Sequence, residues 1–350
     1  MYNRNIGYFF IVFASIIIVL AGIKIASSIV IPFLLSVFIA IILSPLYNYF
    51  NSKGMPNGFS LALVTGIFVI FILLIAKLIG NSAQEFSANI GSYEEKLSAS
   101  LAHTSVFLTN IGVEIPEHEL SSIINTKQIM SFSSGIVQGL GSLFANGFII
   151  LLSVVFMLLE SEYFVRKIAS ITTNIGVIKN IEDILFNIKR YMVIKAAISL
   201  LTAVFIWLSL LYIGTDYAFL WGVLAFMLNF IPNIGSIIAA VPAVLLTLVQ
   251  LGYPSAFVVA VIYMFVNIIV GSVIEPKVMG KGLGLSTLVV FLSLIFWGWL
   301  LGIVGMLLSI PLTMIIKIIL DGNDNTRWIA VLLGTGDNLP KLKSETQDKN

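Results

Sequence analysis

The sequence contains no cysteine, which excludes disulfides, thiolate nucleophiles and cysteine-bound metals. Its two histidines, His103 and His118, both fall in one polar segment, so no buried histidine-based metal or acid–base centre is predicted. Charged side chains are scarce, at 10% of residues, whereas a soluble domain of this length carries about 25%. The net charge of +2 is too small to indicate a nucleic-acid partner.

Motifs of nucleotide and hydrolytic chemistry are missing as well. The pattern G-x-x-x-x-G-K-[ST] does not occur. The glycine-rich stretch GKGLGLS (Gly280 to Ser286) does not follow a strand, as a dinucleotide-binding fingerprint requires. No catalytic triad, H-E-x-x-H motif or carboxylate pair falls inside an apolar run. The sequence therefore indicates neither an enzyme, nor ATP hydrolysis by this chain, nor a bound cofactor.

Apolar residues make up 59% of the chain, and its mean hydropathy is +1.05. This composition predicts an all-α integral membrane protein. We expect about six full spans plus two Pro/Gly-broken hairpins that form an inverted repeat, with an amphipathic helical extracytoplasmic segment. The first apolar run, Ile6 to Ile23, has no cleavage site after it and is interpreted as a retained helix.

The distribution of bases predicts the topology. Residues 160–195 contain six bases and residues 80–138 contain two, and bases beside membrane helices favour the cytoplasm. Both termini are therefore predicted to lie on the cytoplasmic side of a bacterial inner membrane. The predicted order is three spans in 1–79, the extracytoplasmic segment in 80–138, a fourth span in 139–159, a basic cytoplasmic linker in 160–195, a transport core in 196–320 and a cytoplasmic tail in 321–350.

Two apolar hairpins dominate the transport core, with an ordinary span, Ser255 to Ile274, between them. The first is broken at IPNIG (Ile231 to Gly235) and the second at LLGIVG (Leu300 to Gly305). Each arm has about 14 or 15 residues, or roughly 20–22 Å, against a hydrocarbon core of about 30 Å. The hairpins are therefore expected to dip in and turn back, although short tilted spans with kinks would have the same pattern.

The two hairpins are also similar to each other. Aligning Pro242 with Pro311 places Ser236 on Gly305 and Asn233 on Gly302, which is a weak internal repeat. If the hairpins enter from opposite faces of the membrane, the repeat is inverted and the two tips are expected to meet near the midplane. Hairpins that cross the membrane fully would leave the same chain ends on the same sides.

Interrupted helices at matching positions point to a transporter's substrate site. The asparagines beside the first break are expected either to coordinate a polar solute or small cation, or only to cap the broken helix ends. The candidate substrate-binding residues are Asn229, Pro232, Asn233, Gly235, Gly302 and Gly305.

Two further polar residues follow the first hairpin. Glu275 is either a ligand for Na⁺ or H⁺ coupling, or an interfacial partner of Lys277 or Lys281. Asn267 is expected to form hydrogen bonds between helices.

The segment 80–138 carries an apolar stripe at helical spacing, formed by Phe86, Ile90, Tyr93, Leu97 and Leu101. The stripe must be covered by the membrane surface, by a neighbouring helix of the same chain, or by a second protomer. A homo-oligomer is therefore one of the expected outcomes.

The stretch FIPNIGSIIAAVPAVLL (Phe230 to Leu246) and the block from Ile274 to Ile318 resemble the autoinducer-2 exporter (AI-2E) family of bacterial permeases. The resemblance is strong from Ser199 to Leu333, and Glu160 stands where the family usually has Asp. The residues at the family's motif positions, which include candidate hinges, are Pro232, Gly235, Pro242, Glu275, Pro276, Gly280 and Pro311.

The resemblance implies a multi-span inner-membrane permease that exports autoinducer-2, a small polar furanosyl or linear dihydroxy-pentanedione species. Some relatives are assigned to sodium (lithium)/proton antiport, which would make Glu275 or Asn233 the ion ligand. Antiport is disfavoured because no acidic residue lies in the middle of a predicted span. A third hypothesis is a membrane scaffold without transport, acting through residues 80–138.

Overall fold

The computed structural model describes residues 3–110, 126–145, 147–171, 175–232, 234–279, 284–322 and 325–335. Within these ranges the chain is helical and has no strand. The helices are α1 (Asn3–Ile25), α2 (Ser27–Ser52), α3 (Asn57–Asn110), α4 (Thr126–Ala145), α5 (Gly147–Ile171), α6 (Ile175–Ile213), α7 (Ala218–Leu228), α8 (Gly235–Leu251), α9 (Tyr253–Val266), a π-helix (Asn267–Ile274), α10 (Glu275–Met279), α11 (Thr287–Leu307), α12 (Ser309–Asp321) and α13 (Arg327–Leu333).

Among the described residues, five helices are long and apolar enough to cross a membrane. They are Ser27–Ser52, Asn57–Ala99, Leu185–Ile213, Tyr253–Val278 and Thr287–Leu307. The predicted first and fourth spans correspond to shorter apolar helices, Phe10–Ile25 and Gly147–Glu160. Large apolar side chains are exposed along these helices, as expected for surfaces that face lipid. The all-α membrane class is therefore confirmed.

The third predicted span continues without interruption into the segment that follows it. Helix α3 has 54 residues, or about 80 Å at 1.5 Å per residue, so it extends well beyond the thickness of a bilayer. Helix α4 packs back along α3. Residues 79 and 195, which end two of the predicted regions, consequently lie inside α3 and α6.

The apolar stripe of α3 packs on the first hairpin of the same chain. Phe86, Tyr93 and Leu97 are buried, and the Phe86 ring lies edge-on to Trp221 at a centroid distance of 5.5 Å. The same ring contacts Tyr217, with centroids 6.2 Å apart. Of the three coverings considered for the stripe, the structure thus shows a neighbouring helix of its own protomer. The side chain of Leu101 lies outside the described residues.

We expect Phe86→Ala to destabilise the protein by about 3 kcal/mol, because truncating a buried phenylalanine loses its apolar contacts and leaves a cavity. Thermal unfolding of the purified protein in detergent would measure the loss. Leu78→Ala on the same helix is the matched control, since Leu78 is 48% exposed. Equal melting temperatures for the two variants would contradict this packing of α3 on the hairpin.

Helices α7 and α8 form an antiparallel pair, which we name hairpin 1. At its open end, the hydroxyl oxygens of Thr215 and Thr247 lie 3.0 Å apart. The backbone N–H of Asp216 donates to Gln250 Oε1 at 3.0 Å. The helices have 11 and 17 residues, about 17 and 26 Å, and neither reaches the length of a full span.

Helices α11 and α12 together make up the second hairpin, hairpin 2, whose turn lies inside α11. The chain breaks inside α11 at Gly302, whose φ of 65° and ψ of −148° are not helical. Farther from the break, the Trp297 Nε1–H donates to Thr313 Oγ1 at 3.0 Å and joins the two arms. Near the tip, the Lys24 ammonium lies 4.2 Å from the centroid of the Trp299 ring, so this tip is level with the end of α1.

Candidate functional site

Both hairpin tips depend on a glycine at which two backbone segments meet. A Cβ atom on Gly235 would lie 1.7 Å from the carbonyl oxygen of Leu228, and one on Gly305 would lie 1.9 Å from that of Trp297. No side chain fits at such distances. The geometric counterpart of Gly305 is therefore Gly235, one residue away from Ser236, which the proline alignment paired with it.

The first tip is tied to α6 by an amide. Asn229 follows α7, and its Nδ2–H donates to the hydroxyl oxygen of Ser199 at 3.0 Å. Ser199 is fully buried, and no side chain caps the start of α8. Asn229 thus stands at the C-terminal end of α7 and also connects α7 to α6 through its side chain. Pro232 is half-buried in the break, and Asn233 lies outside the described residues.

A small cavity adjoins this tip. Its polar lining comes from hairpin 1, from α6 and from the region where α9 becomes π-helical. In this conformation it has room for about one water molecule. The described residues on its wall are all uncharged: Thr202, Ile206, Ala225, Asn229, Ser236, Tyr263, Val266, Asn267 and Val270.

Helix α6 carries a buried polar stripe that sequence reasoning missed, and one of its residues, Thr202, lines the cavity. Lys195, Ser199 and Thr202 are buried and recur at spacings of four and three residues, which places them on one helical face. The signal was present in the sequence. It was overlooked because the predicted transport core began at residue 196, which left Lys195 in the cytoplasmic linker.

A buried ion pair lies at one end of this stripe. Lys195 Nζ is 2.6 Å from Glu275 Oε1, and the two side chains are 3% and 21% exposed. Sequence analysis left Glu275 as either an ion ligand or an interfacial partner of Lys277 or Lys281. The structure shows a partner that was not considered, because packing of α6 against α10 brings in a lysine 80 residues away. Lys277 is exposed, and Lys281 lies outside the described residues.

The span between the hairpins is not an ordinary helix. Its second half, Asn267–Ile274, is π-helical, and the Glu275 N–H donates to the Val270 carbonyl five residues back. Such wide turns are rare and occur often at functional sites. Here the π-helix separates Asn267, on the cavity wall, from Glu275 in the ion pair. Asn267, expected to form hydrogen bonds between helices, lies on the cavity wall.

The structure does not gather all the predicted site residues in one place. No described residue of hairpin 2 lines the cavity, so Gly302 and Gly305 belong to a separate tip. The expected meeting of the two tips is therefore not seen at this cavity. Among the candidate hinges, Pro242 is buried inside α8, Pro311 is buried in the first turn of α12, Pro276 is exposed in α10, and Gly280 lies outside the described residues.

A polytopic helical protein with interrupted helices around a buried polar cavity has the architecture of a membrane transporter. The sequence profile of the AI-2E family transporters matches residues 13–323, and the chain belongs to this family.

The family includes relatives of nearly the same length. The chain is 37% identical over 324 residues to the AI-2 transport protein TqsA of Escherichia coli K12, which covers 92% of this chain and 94% of TqsA. It is 40% identical over 339 residues to a Haemophilus influenzae protein whose name mentions transport but no substrate, covering 95% and 97% of the two chains.

Proposed function

We propose that this transporter exports a small uncharged polar metabolite, autoinducer-2, across the bacterial inner membrane without ATP hydrolysis by this chain. The observation that carries the proposal is the polar cavity beside the tip of hairpin 1, whose described lining residues carry no charge. Amide and hydroxyl groups can replace the hydration of a neutral solute, whereas an ion would enter without a counter-charge. The name of TqsA, a close relative in length and sequence, supports autoinducer-2 as the substrate.

Antiport of sodium and protons ranks second. Glu275 is the carboxylate that would bind the ion, but the Lys195 ammonium already neutralises it. A cation would have to displace a buried lysine before it reached the carboxylate. The ion pair is better suited to closing the cytoplasmic end of a solute path. Its Lys195 lies about 10 Å from Thr202 along the axis of α6, at 1.5 Å per residue.

Transport also requires the first tip to move. The cavity has room for about one water molecule, far less than a five-carbon solute needs. Because Asn229 ties the tip to α6, outward movement of hairpin 1 would break its hydrogen bond to Ser199. We assign entry from the cytoplasm to opening of the ion pair and release to movement of this tip. From the distribution of bases we also propose that both termini lie in the cytoplasm. The lipid-facing spans remain available for contact between protomers in a homo-oligomer.

Asn229→Leu is expected to lower flux of autoinducer-2 at least tenfold, because it removes both the link to Ser199 and a polar wall of the cavity. Flux would be measured in sealed proteoliposomes alongside any sodium-triggered pH change. The control is Ser209→Ala on α6, the helix that carries Ser199, because the Ser209 hydroxyl donates to the Phe205 carbonyl of its own helix.

Normal flux in the Asn229→Leu protein would place the solute path elsewhere. Sodium-dependent proton movement without solute flux in the native protein would replace export by antiport.

A further inference from the structure

Two buried hydroxyls among the described residues, those of Ser60 and Tyr263, lack a hydrogen-bond partner, and of these two it is Tyr263 that adjoins the cavity. The side chain is buried and lines the cavity, and its hydroxyl has no hydrogen-bond partner among the described residues. A buried donor without a partner is unfavourable, and such groups are few in folded proteins. A phenylalanine would fill the same space without this cost. The hydroxyl therefore calls for a partner that the described part of the chain does not supply.

The surrounding groups indicate what that partner is. Asn229 uses its amide N–H on Ser199 and keeps its carbonyl oxygen as an acceptor, while the Thr202 hydroxyl donates to the Ile198 carbonyl and can still accept. Ser236 and Asn267 add a hydroxyl and an amide from two other elements. The cavity thus offers both donors and acceptors, from three separate parts of the fold, and no formal charge.

We propose that Tyr263 contacts the transported solute directly, and that the site selects small uncharged molecules that carry both hydroxyl and carbonyl groups. This inference rests on the proposed function and assigns its binding site. A solute carbonyl accepts from the Tyr263 hydroxyl, and solute hydroxyls donate to the oxygens of Asn229 and Asn267. Sodium fits the site less well, because none of the described lining residues is acidic and Glu275, outside the cavity, is engaged by Lys195.

Binding at equilibrium tests the assignment without any gradient or flux. The purified, detergent-solubilised protein would be titrated with radiolabelled linear dihydroxy-pentanedione. We expect Tyr263→Phe to weaken binding about three- to tenfold, the effect of losing one hydrogen bond to a neutral donor. The matched control is Tyr47→Phe, which removes the hydroxyl of a buried tyrosine in the separate apolar cluster formed by α2, α3 and α5.

A second readout separates binding from folding. Without ligand, the melting temperature of the Tyr263→Phe protein should equal or exceed that of the native protein, because the substitution removes a buried unpartnered hydroxyl. Weaker binding together with undiminished stability supports a direct contact. A fall in melting temperature that matches the loss of binding would overturn it and make Tyr263 structural.

The remaining outcomes separate this inference from the proposed function. Unchanged probe binding in Tyr263→Phe, with flux intact in the native protein, overturns the inference and leaves export standing; the hydroxyl then bonds only to water. Absence of both binding and flux in the native protein overturns export and the inference with it. Stabilisation of the native protein by sodium but not by the probe, lost in Tyr263→Phe, overturns the solute class.

Discussion

Replacing Gly235 with alanine is expected to abolish transport and to destabilise the protein by about 3 kcal/mol, a large effect for the addition of one methyl group. The new Cβ would lie 1.7 Å from the Leu228 carbonyl oxygen and 3.0 Å from the Ile231 Cβ. Backbone is not free to give way as a long side chain is, so the two arms of hairpin 1 must separate. Separation would also displace Asn229 from Ser199.

Two other glycines make the test specific. Gly305→Ala should have a similar effect in hairpin 2, where the Cβ would lie 1.9 Å from the Trp297 carbonyl oxygen. Gly66→Ala, inside α3, meets no atom within 4 Å and should leave stability unchanged or slightly higher, since alanine favours helix. Melting temperature and proteoliposome flux would be measured for all three. A Gly235→Ala protein that behaves like Gly66→Ala would contradict the tight tip.

Neutralising Glu275 is expected to cost about 3 kcal/mol of stability. Glu275→Gln leaves the Lys195 ammonium buried without its counter-charge, and an isolated buried charge is far more costly than a neutral group of the same size. The same variant should also let solute leak through, or should uncouple opening at the two ends of the solute path, because the proposed cytoplasmic closure is lost. Thermal unfolding and flux would report these two effects separately.

A double-mutant cycle decides whether the pair acts as a unit. Lys195→Met combined with Glu275→Gln should recover most of the lost stability, because neither buried charge remains. The surface pair of Arg327 and Asp321 serves as the control. Its atoms are 3.5 Å apart, and its side chains are 65% and 59% exposed, so Asp321→Asn should have little effect. Equal effects of Glu275→Gln and Asp321→Asn would rule out a buried pair.

The breaks in the hairpins could be predicted because Pro and Gly act on the backbone next to them. IPNIG and LLGIVG were recognised from the residues alone, and the structure has a turn after Leu228 and a non-helical residue at Gly302. The stripe of α3 was predicted equally well, since helical spacing depends only on the local chain. What covers the stripe could not be predicted, because Trp221 is 135 residues away from Phe86.

The sequence by itself determined the all-α membrane class, the positions of the interruptions and the membership of the AI-2E family, since these follow from composition and from local patterns. Only the tertiary structure decided that Lys195 pairs with Glu275, that Asn229 reaches Ser199 and that Tyr263 lines the same cavity as Thr202. Each of these arrangements brings together residues at least 30 positions apart in the chain. Their partners are set by how the helices pack, and no local pattern of residues encodes that packing.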